Sequence, residues 1–299
     1  KKMVLKMRFI LLTLLLYILQ GIAIDVHAQL NPIGALYFQN QYLGNPAMAG
    51  RKGFDVNMGY RKQWSNIPGG PSSQILTGEY AFTRNAGIGL NVSNETSGLF
   101  KSLRSVASYA YHMPLNENNT KLSFGLSLGF LNERLSREDM NGDPNDIIVA
   151  NYNQSEAHVD GDFGLAYTSN KLSVQAALPN IKGIFQPDLV NQSINHPTFF
   201  SAVSYKIDSE NPYGISLEPK VVYRGIKGLN NILDIGANVS YVNKVNLFGM
   251  YHSIGSATFG LGMNYQSFSI IGIYSTNTSS LAGYSSGNFE IGLKASLFK

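Results

Sequence analysis

From Leu122 to Phe130 the chain reads LSFGLSLGF. Leu122, Phe124, Leu126, Leu128 and Phe130 alternate with Ser123, Gly125, Ser127 and Gly129. Successive side chains of a strand point to opposite faces, so one face here is wholly apolar and the other small and polar. The same period of two returns along most of the chain, between polar turns and without an amphipathic helix. It predicts strands at about 53–61, 72–82, 86–94, 102–113, 121–133, 158–168 and 171–178. Seven more fall at about 198–207, 212–223, 231–242, 244–252, 256–265, 267–275 and 287–298.

The connections alternate in length. With the N-terminus on one side, that side carries turns near 84–85, 114–120, 169–170, 208–211, 243 and 266. The other side carries 62–71, 95–101, 134–157, 179–197, 224–230, 253–255 and 276–286, several of them long. Short periplasmic turns opposite longer outer loops, with an even strand number, are the pattern of a transmembrane barrel. Charge agrees with this. Ile215, Leu217, Val221 and Tyr223, then Phe259, Leu261, Met263 and Tyr265, then Phe289, Ile291, Leu293 and Leu297 make uncharged faces, which Tyr213 would join. Asp55, Glu79, Arg104, Asp162, Glu218, Lys220, Asp234, Glu290 and Lys294 lie on the opposite faces. A basic side chain facing lipid at mid-depth costs about 2–4 kcal/mol, so such segregation is required of a barrel wall. Tyrosines such as Tyr60, Tyr80, Tyr111, Tyr167, Tyr205 and Tyr241 sit near strand ends, where an aromatic girdle belongs. The fold predicted is therefore all-β, a transmembrane antiparallel barrel of about fourteen strands. Glycines within the strands, among them Gly125, Gly129 and Gly164, are read as leaving room in the lumen and permitting curvature.

Composition adds a leader and removes some chemistries. Lys1, Lys2, Lys6 and Arg8 precede an apolar run from Phe9 to Ile24, and Val26-His27-Ala28 offers a cleavage site before Gln29. Residues 1–28 thus read as a signal peptide, 29–52 as an N-terminal segment and 53–299 as the barrel. Losing the leader removes four of 23 Lys/Arg and one of 19 Asp/Glu, leaving 19 against 18, a net charge of +1. The basic balance belongs mostly to the leader and gives no reason to propose nucleic acid as a partner. The chain has no cysteine, which excludes disulfides and thiolate metal sites.

Candidate chemistry is sparse. His112, His158, His196 and His252 show no metal-ligand spacing and read as solvated loop or lumen residues. No motif marks a nucleophilic serine, and there is no phosphate loop or nucleotide fingerprint. Asp139, Asn141, Asp143, Asn145 and Asp146 resemble a calcium loop, but Pro144 and Ala150 stand where an EF-hand wants glycine and an acid. We expect no enzyme activity, no cofactor and no metal.

At Asn45-Pro46-Ala47-Met48-Ala49-Gly50 the chain resembles the PorP/SprF family of outer-membrane proteins of type IX secretion and gliding motility in Bacteroidetes. The likeness continues at Tyr60-Arg61-x-Gln63-Trp64, at Gly70-Pro71, at Tyr109-Ala110-Tyr111 with Pro114-Leu115, and at Leu122–Leu126. It returns at Asp143–Asp146, at Phe163–Tyr167 with Leu178-Pro179-Asn180, and at Gly287-Asn288-Phe289-Glu290-Ile291. Asn288 and Phe289 depart from the Ser-His of the family's closing motif. The resemblance brings no catalytic residues. It implies an outer-membrane barrel that binds a secreted surface protein and periplasmic secretion components, supporting export or surface attachment. A passive porin and a hydrophobic-solute channel remain as rivals.

Structural work is expected of the motifs. Asn45, Pro46 and Gly50 would set the entry into the first strand, since proline fixes φ and glycine permits φ > 0. Trp64 would sit at the outer interface or fold into the mouth. Residues 29–50 would either plug the lumen or lie free in the periplasm as a docking segment; Tyr37, Phe38 and Tyr42 favour packing somewhere. Both termini are expected in the periplasm. The partner surface is expected on the two longest outer loops. Asp143 and Asp146 make the first acidic, and Ile184, Phe185, Pro187 and Leu189 make the second apolar. The second loop has an alternative as an inward plug.

Overall fold

Alternation written through every segment leaves each strand with one face that must avoid water and one that must find it. A closed cylinder satisfies both, with lipid outside and a polar lumen inside. The structure, a computed structural model, describes residues 34–116, 119–136, 152–153, 157–181, 197–208, 214–226, 230–276 and 286–298. The first half of the wall runs β1 (Phe54–Lys62), β2 (Ser72–Ala81), β3 (Ala86–Ser97), β4 (Phe100–Pro114), β5 (Lys121–Leu135), β6 (His158–Thr168) and β7 (Leu172–Leu178). The second half runs β8 (Pro197–Tyr205), β9 (Ile207–Asp208), β10 (Ile215–Ile226), β11 (Ile232–Tyr241), β12 (Val245–His252), β13 (Ser256–Tyr265), β14 (Phe268–Ser275) and β15 (Asn288–Phe298). β8 and β9 both pair with β10 and are one strand broken at Lys206, so the wall has fourteen strands. All pairs are antiparallel neighbours, and β15 returns to β1 with Tyr60 opposite Ile291 and Arg61 opposite Glu290. Closure leaves no sheet edge to satisfy in lipid.

The faces are as the pattern requires. Leu126, Leu128 and Phe130 are 58–66% exposed, whereas Ser123 and Ser127 on the opposite face of the same strand are at most 3% exposed. Leu217, Val221, Tyr223, Phe259, Leu261, Met263, Phe289, Ile291, Leu293 and Leu297 are exposed on the outside. Asp162, Lys220, Asp234 and Glu290 are buried inside. Tyr213 lies outside the described residues.

Two details differ from the sequence pattern. The expected loop 95–101 is a two-residue hairpin turn, because β3 and β4 pair up to Ser97 and Phe100. Gly98 makes this possible with φ +56°, a value open to glycine. β4 and β5 reach fifteen residues each, while β7 has seven, so the wall is tall on one side and low on the other.

Candidate functional site

The lumen is occupied by the chain's own N-terminal segment. Residues 34–50 form three single 3-10 turns, Leu36–Phe38, Gln41–Leu43 and Pro46–Met48. Tyr37, Phe38, Tyr42, Asn45, Ala47, Met48 and Ala49 are all buried. Of the two placements open to 29–50, the described part is inside the barrel. Short helical turns suit this position because they satisfy backbone groups internally where no strand partner is available.

The segment is held at three levels. Toward the loop end, both carboxylate oxygens of Glu290 accept from the Ala35 amide at 2.9 Å. Beside it, the Tyr37 hydroxyl donates to Asp234 Oδ2 at 2.6 Å. Asp234 also pairs with Arg224 at 2.8 Å and accepts from His252 Nδ1 at 2.6 Å. His252 Nε2 meets Thr258 Oγ1 at 2.7 Å, and Thr258 meets Ser275 at 2.6 Å. Arg224 and Asp234 are essentially inaccessible, so their pairing offsets the heavy cost of burying two charges. At mid-height, Lys220 donates to the Phe38 carbonyl at 3.0 Å and sits over the Phe38 ring, which stacks on Phe248. Tyr37 packs edge-on against Phe200, and Tyr42 bonds Ser108 at 2.7 Å.

Toward the short-turn end lies the Asn-Pro-Ala-Met-Ala-Gly stretch. Asn45 Oδ1 caps the Ala47 amide at 2.9 Å and its Nδ2 donates to the Leu165 carbonyl at 2.9 Å. Pro46 starts the turn, where a missing N–H costs nothing. The Ala49 carbonyl accepts from His112 Nε2 at 3.0 Å, which fixes the tautomer and leaves Nδ1 for the Ser123 hydroxyl at 2.9 Å. Asn45 and Pro46 thus seat the segment in the lumen, while Gly50 takes the positive φ expected of it in the turn toward β1, and Gly53, at φ +52°, stands next to that strand. Gly50, at φ +60°, presses backbone to backbone on Gly87.

Wall glycines are the seats. A Cβ at Gly125 would lie 2.2 Å from the Ala47 nitrogen, and one at Gly164 would lie 2.0 Å from Asn45 Oδ1. The room that these glycines leave in the lumen is thus filled by the segment. His112 and His252 likewise are buried partners in this packing rather than solvated residues.

The other motif residues line the rim. Tyr60 faces outward and Arg61 inward, and the Gln63 amide donates to the Pro71 carbonyl at 2.8 Å. Trp64 is half-buried in the same turn at φ +48°. Gly287 leads into β15, where a Cβ would strike the Ser275 carbonyl at 2.3 Å. Asp143, Asp146, Ile184, Phe185, Pro187 and Leu189 lie outside the described residues. Sequence reasoning missed Arg224, His252 and Thr258 as anchors. The one signal was that charged lumen positions such as Asp234 and Glu290 need partners. Among the described residues no cluster of three His, Cys, Asp or Glu side chains is placed to hold a metal.

Two cavities remain around the segment. One, toward the loops, is lined by Arg61, Ser73, Asn91, Arg104 and Asp162. The other, about 390 Å3, opens among Asn57, Asn246, Asn264 and Lys294 toward the short-turn end. Leu36, Leu43, Gly59 and Ile75 line both.

A closed antiparallel barrel with lipid-ready outer faces and a self-filled lumen defines an outer-membrane barrel protein. Residues 26–295 match the model of the family described as type IX secretion system membrane protein PorP/SprF, and the chain belongs to that family. Among solved structures, Omp33, an outer membrane protein of Acinetobacter baumannii, aligns with a TM-score of 0.52 at 6% identity, over 82% of this chain and 98% of that one. The KdgM porin aligns at 0.37 and 10% identity, over 81% and 99%. No curated protein sequence matches.

Proposed function

We propose that the protein is a closed, non-enzymatic docking component of type IX secretion, which binds a secreted partner and supports its export or surface attachment. The observation that supports this reading is the anchoring of residues 34–50 inside the lumen through Glu290, Asp234, Lys220 and His112. The lumen of a general porin is a water-filled channel, whereas other barrels are plugged by their own segments. On this reading the short-turn end, where β15 finishes, lies in the periplasm beside secretion components, and the loop end faces the partner. The loops 134–157 and 179–197 would form the contact surface, with Asp143, Asp146, Ile184, Phe185, Pro187 and Leu189 as its chemistry.

One observation favours a second, channel reading. The two cavities share a lining at Leu36 and Leu43, so a small movement there would join them. Planar-bilayer recording and a deletion of residues 184–192 decide. We expect no steady conductance from the intact protein, and loss of partner display from the deletion with the barrel still assembled and closed. A steady open pore in the intact protein, or a deletion that conducts and still displays partner, overturns the docking reading.

A further inference from the structure

Among the described residues, the cavity toward the short turns is lined by seven side-chain amides and no acidic side chain, whereas the loop-side cavity carries Arg61, Glu95, Arg104, Asp162 and Glu290. Asn40 Nδ2 and Asn57 Nδ2 both donate to Thr77 Oγ1, at 2.9 and 3.1 Å, and Asn264 Nδ2 donates to the Asn243 carbonyl at 2.9 Å. Each amide nitrogen is thereby pinned, and each Oδ1 is left as an acceptor. Asn246 projects into the same cavity, is 8% exposed, and makes no side-chain hydrogen bond among the described residues. Its carboxamide is open to the cavity and available to whatever enters it. Gln39 and Gln266 complete the lining. Among the described residues the one charged side chain there, Lys294, is neutralised by Asp55 at 2.7 Å, and Asp55 also accepts from Ser296 at 2.6 Å.

We infer that this chamber is a binding site for a short, uncharged, extended peptide segment offered from the short-turn side. The chemistry selects that class. Fixed amide acceptors without a free carboxylate match backbone N–H groups rather than cations. The free Asn246 can both donate and accept, as pairing with a peptide bond requires. Among the described residues no aromatic ring lines the cavity, so a sugar finds no face there to stack on. Its size, about 390 Å3, is within the range of small-ligand pockets. The apolar floor of Leu36 and Leu43 offers a place for one aliphatic side chain. The inference extends the docking reading to a second, turn-side contact, but it does not require the outer loops to bind anything.

The test uses the full chain in detergent and an array of acetylated, amidated tetrapeptides made from Gly, Ala, Ser, Thr, Asn and Val, with chitotetraose as the sugar comparison. Affinity is read by microscale thermophoresis. We expect a subset of peptides to bind, and Asn246→Leu to weaken that binding at least about tenfold. Asn264→Leu serves as the second variant should the first fail to assemble, as judged by heat-modifiable migration. Ser93→Leu, in the loop-side cavity, is expected to leave affinity unchanged. Absence of peptide binding, equal binding by the chamber variants, or preference for chitotetraose overturns the inference. Partner display retained by the deletion of residues 184–192, with peptide binding intact, would instead count against the outer-loop contact alone.

Discussion

Replacing Gly125 by valine tests the lumen packing most directly. A Cβ there would lie 2.2 Å from the Ala47 nitrogen, 2.3 Å from the Pro46 carbonyl carbon and 2.5 Å from the Ala47 Cα. Ordinary contact begins near 3.4 Å, so more than 1 Å of retreat is needed. The wall cannot supply it, because Gly125 is paired to Ala110 on one side and Gly164 on the other, inside two long ladders. Valine also suits a strand. The turn Pro46–Met48 must therefore leave. Its departure breaks the bond from Asn45 to Leu165, worth about 1 kcal/mol. It also uncovers Met48 and Ala47, worth about 2–3 kcal/mol together. At 1.4 kcal/mol per decade, the total shifts the seated-to-released equilibrium by about two to three decades. The chain has no cysteine, so Met48→Cys is a sole thiol. In that background Gly125→Val is expected to raise its reaction rate with a water-soluble maleimide about 100-fold, with barrel migration on gels unchanged. A rise below about threefold with the barrel intact would refute the seating argument.

Two further outcomes follow from the wall and the anchors. A cysteine at Leu126 is expected to react with a lipid-phase reagent and not with a water-soluble one; the reverse would overturn the assignment of faces. Asp234→Ala removes the carboxylate that pairs with buried Arg224 and is expected to cost about 3–5 kcal/mol. Tyr37→Phe removes one charge-assisted bond and is expected to cost about 1.5–3 kcal/mol. Urea unfolding in detergent should preserve that order, and equal or inverted effects would dismiss Asp234 as the hub.

The wall was legible in the sequence because its signal is local. Alternation around Leu122–Phe130 needs no knowledge of the partner strand, and the polar turns mark where each strand stops. Even the absence of charge on faces such as Phe259, Leu261 and Met263 can be read one strand at a time. The contents of the lumen were not legible, because their partners lie 29 to 255 positions away, as Gly50 with Glu79 and Glu290 with Ala35 show. Asn45, Pro46 and Gly50 looked like a device for starting a strand, since Pro and Gly have the same local meaning wherever they stand. What they do was decided by Gly125, Gly164 and Gly87 across the lumen. A polar inner face likewise reads the same whether it lines water or a folded segment.

The order of these contacts constrains how the barrel forms. Followed backward from Gly50, the segment meets the wall nearly in strand order. Ala49 bonds β4, Ala47 and Asn45 seat on β5 and β6, and Gln41 meets Gln175 of β7. Phe38 then accepts from Lys220 of β10, Tyr37 reaches Asp234 of β11, and Ala35 ends on Glu290 of β15. One short segment thus spans the wall from its early strands to its last. Each grip depends on a strand made later in the chain, so the segment cannot finish docking until β15 is in place beside β1. Glu290 lies on that seam, opposite Arg61 in register. Its carboxylate holds the lumen segment while its backbone pairs across the seam, which couples the filling of the barrel to its sealing. Contacts of such sequence separation form late and slowly, after their loop-closure entropy has been met. A barrel caught before closure would therefore present residues 34–50 unseated, and the filled lumen marks the finished wall.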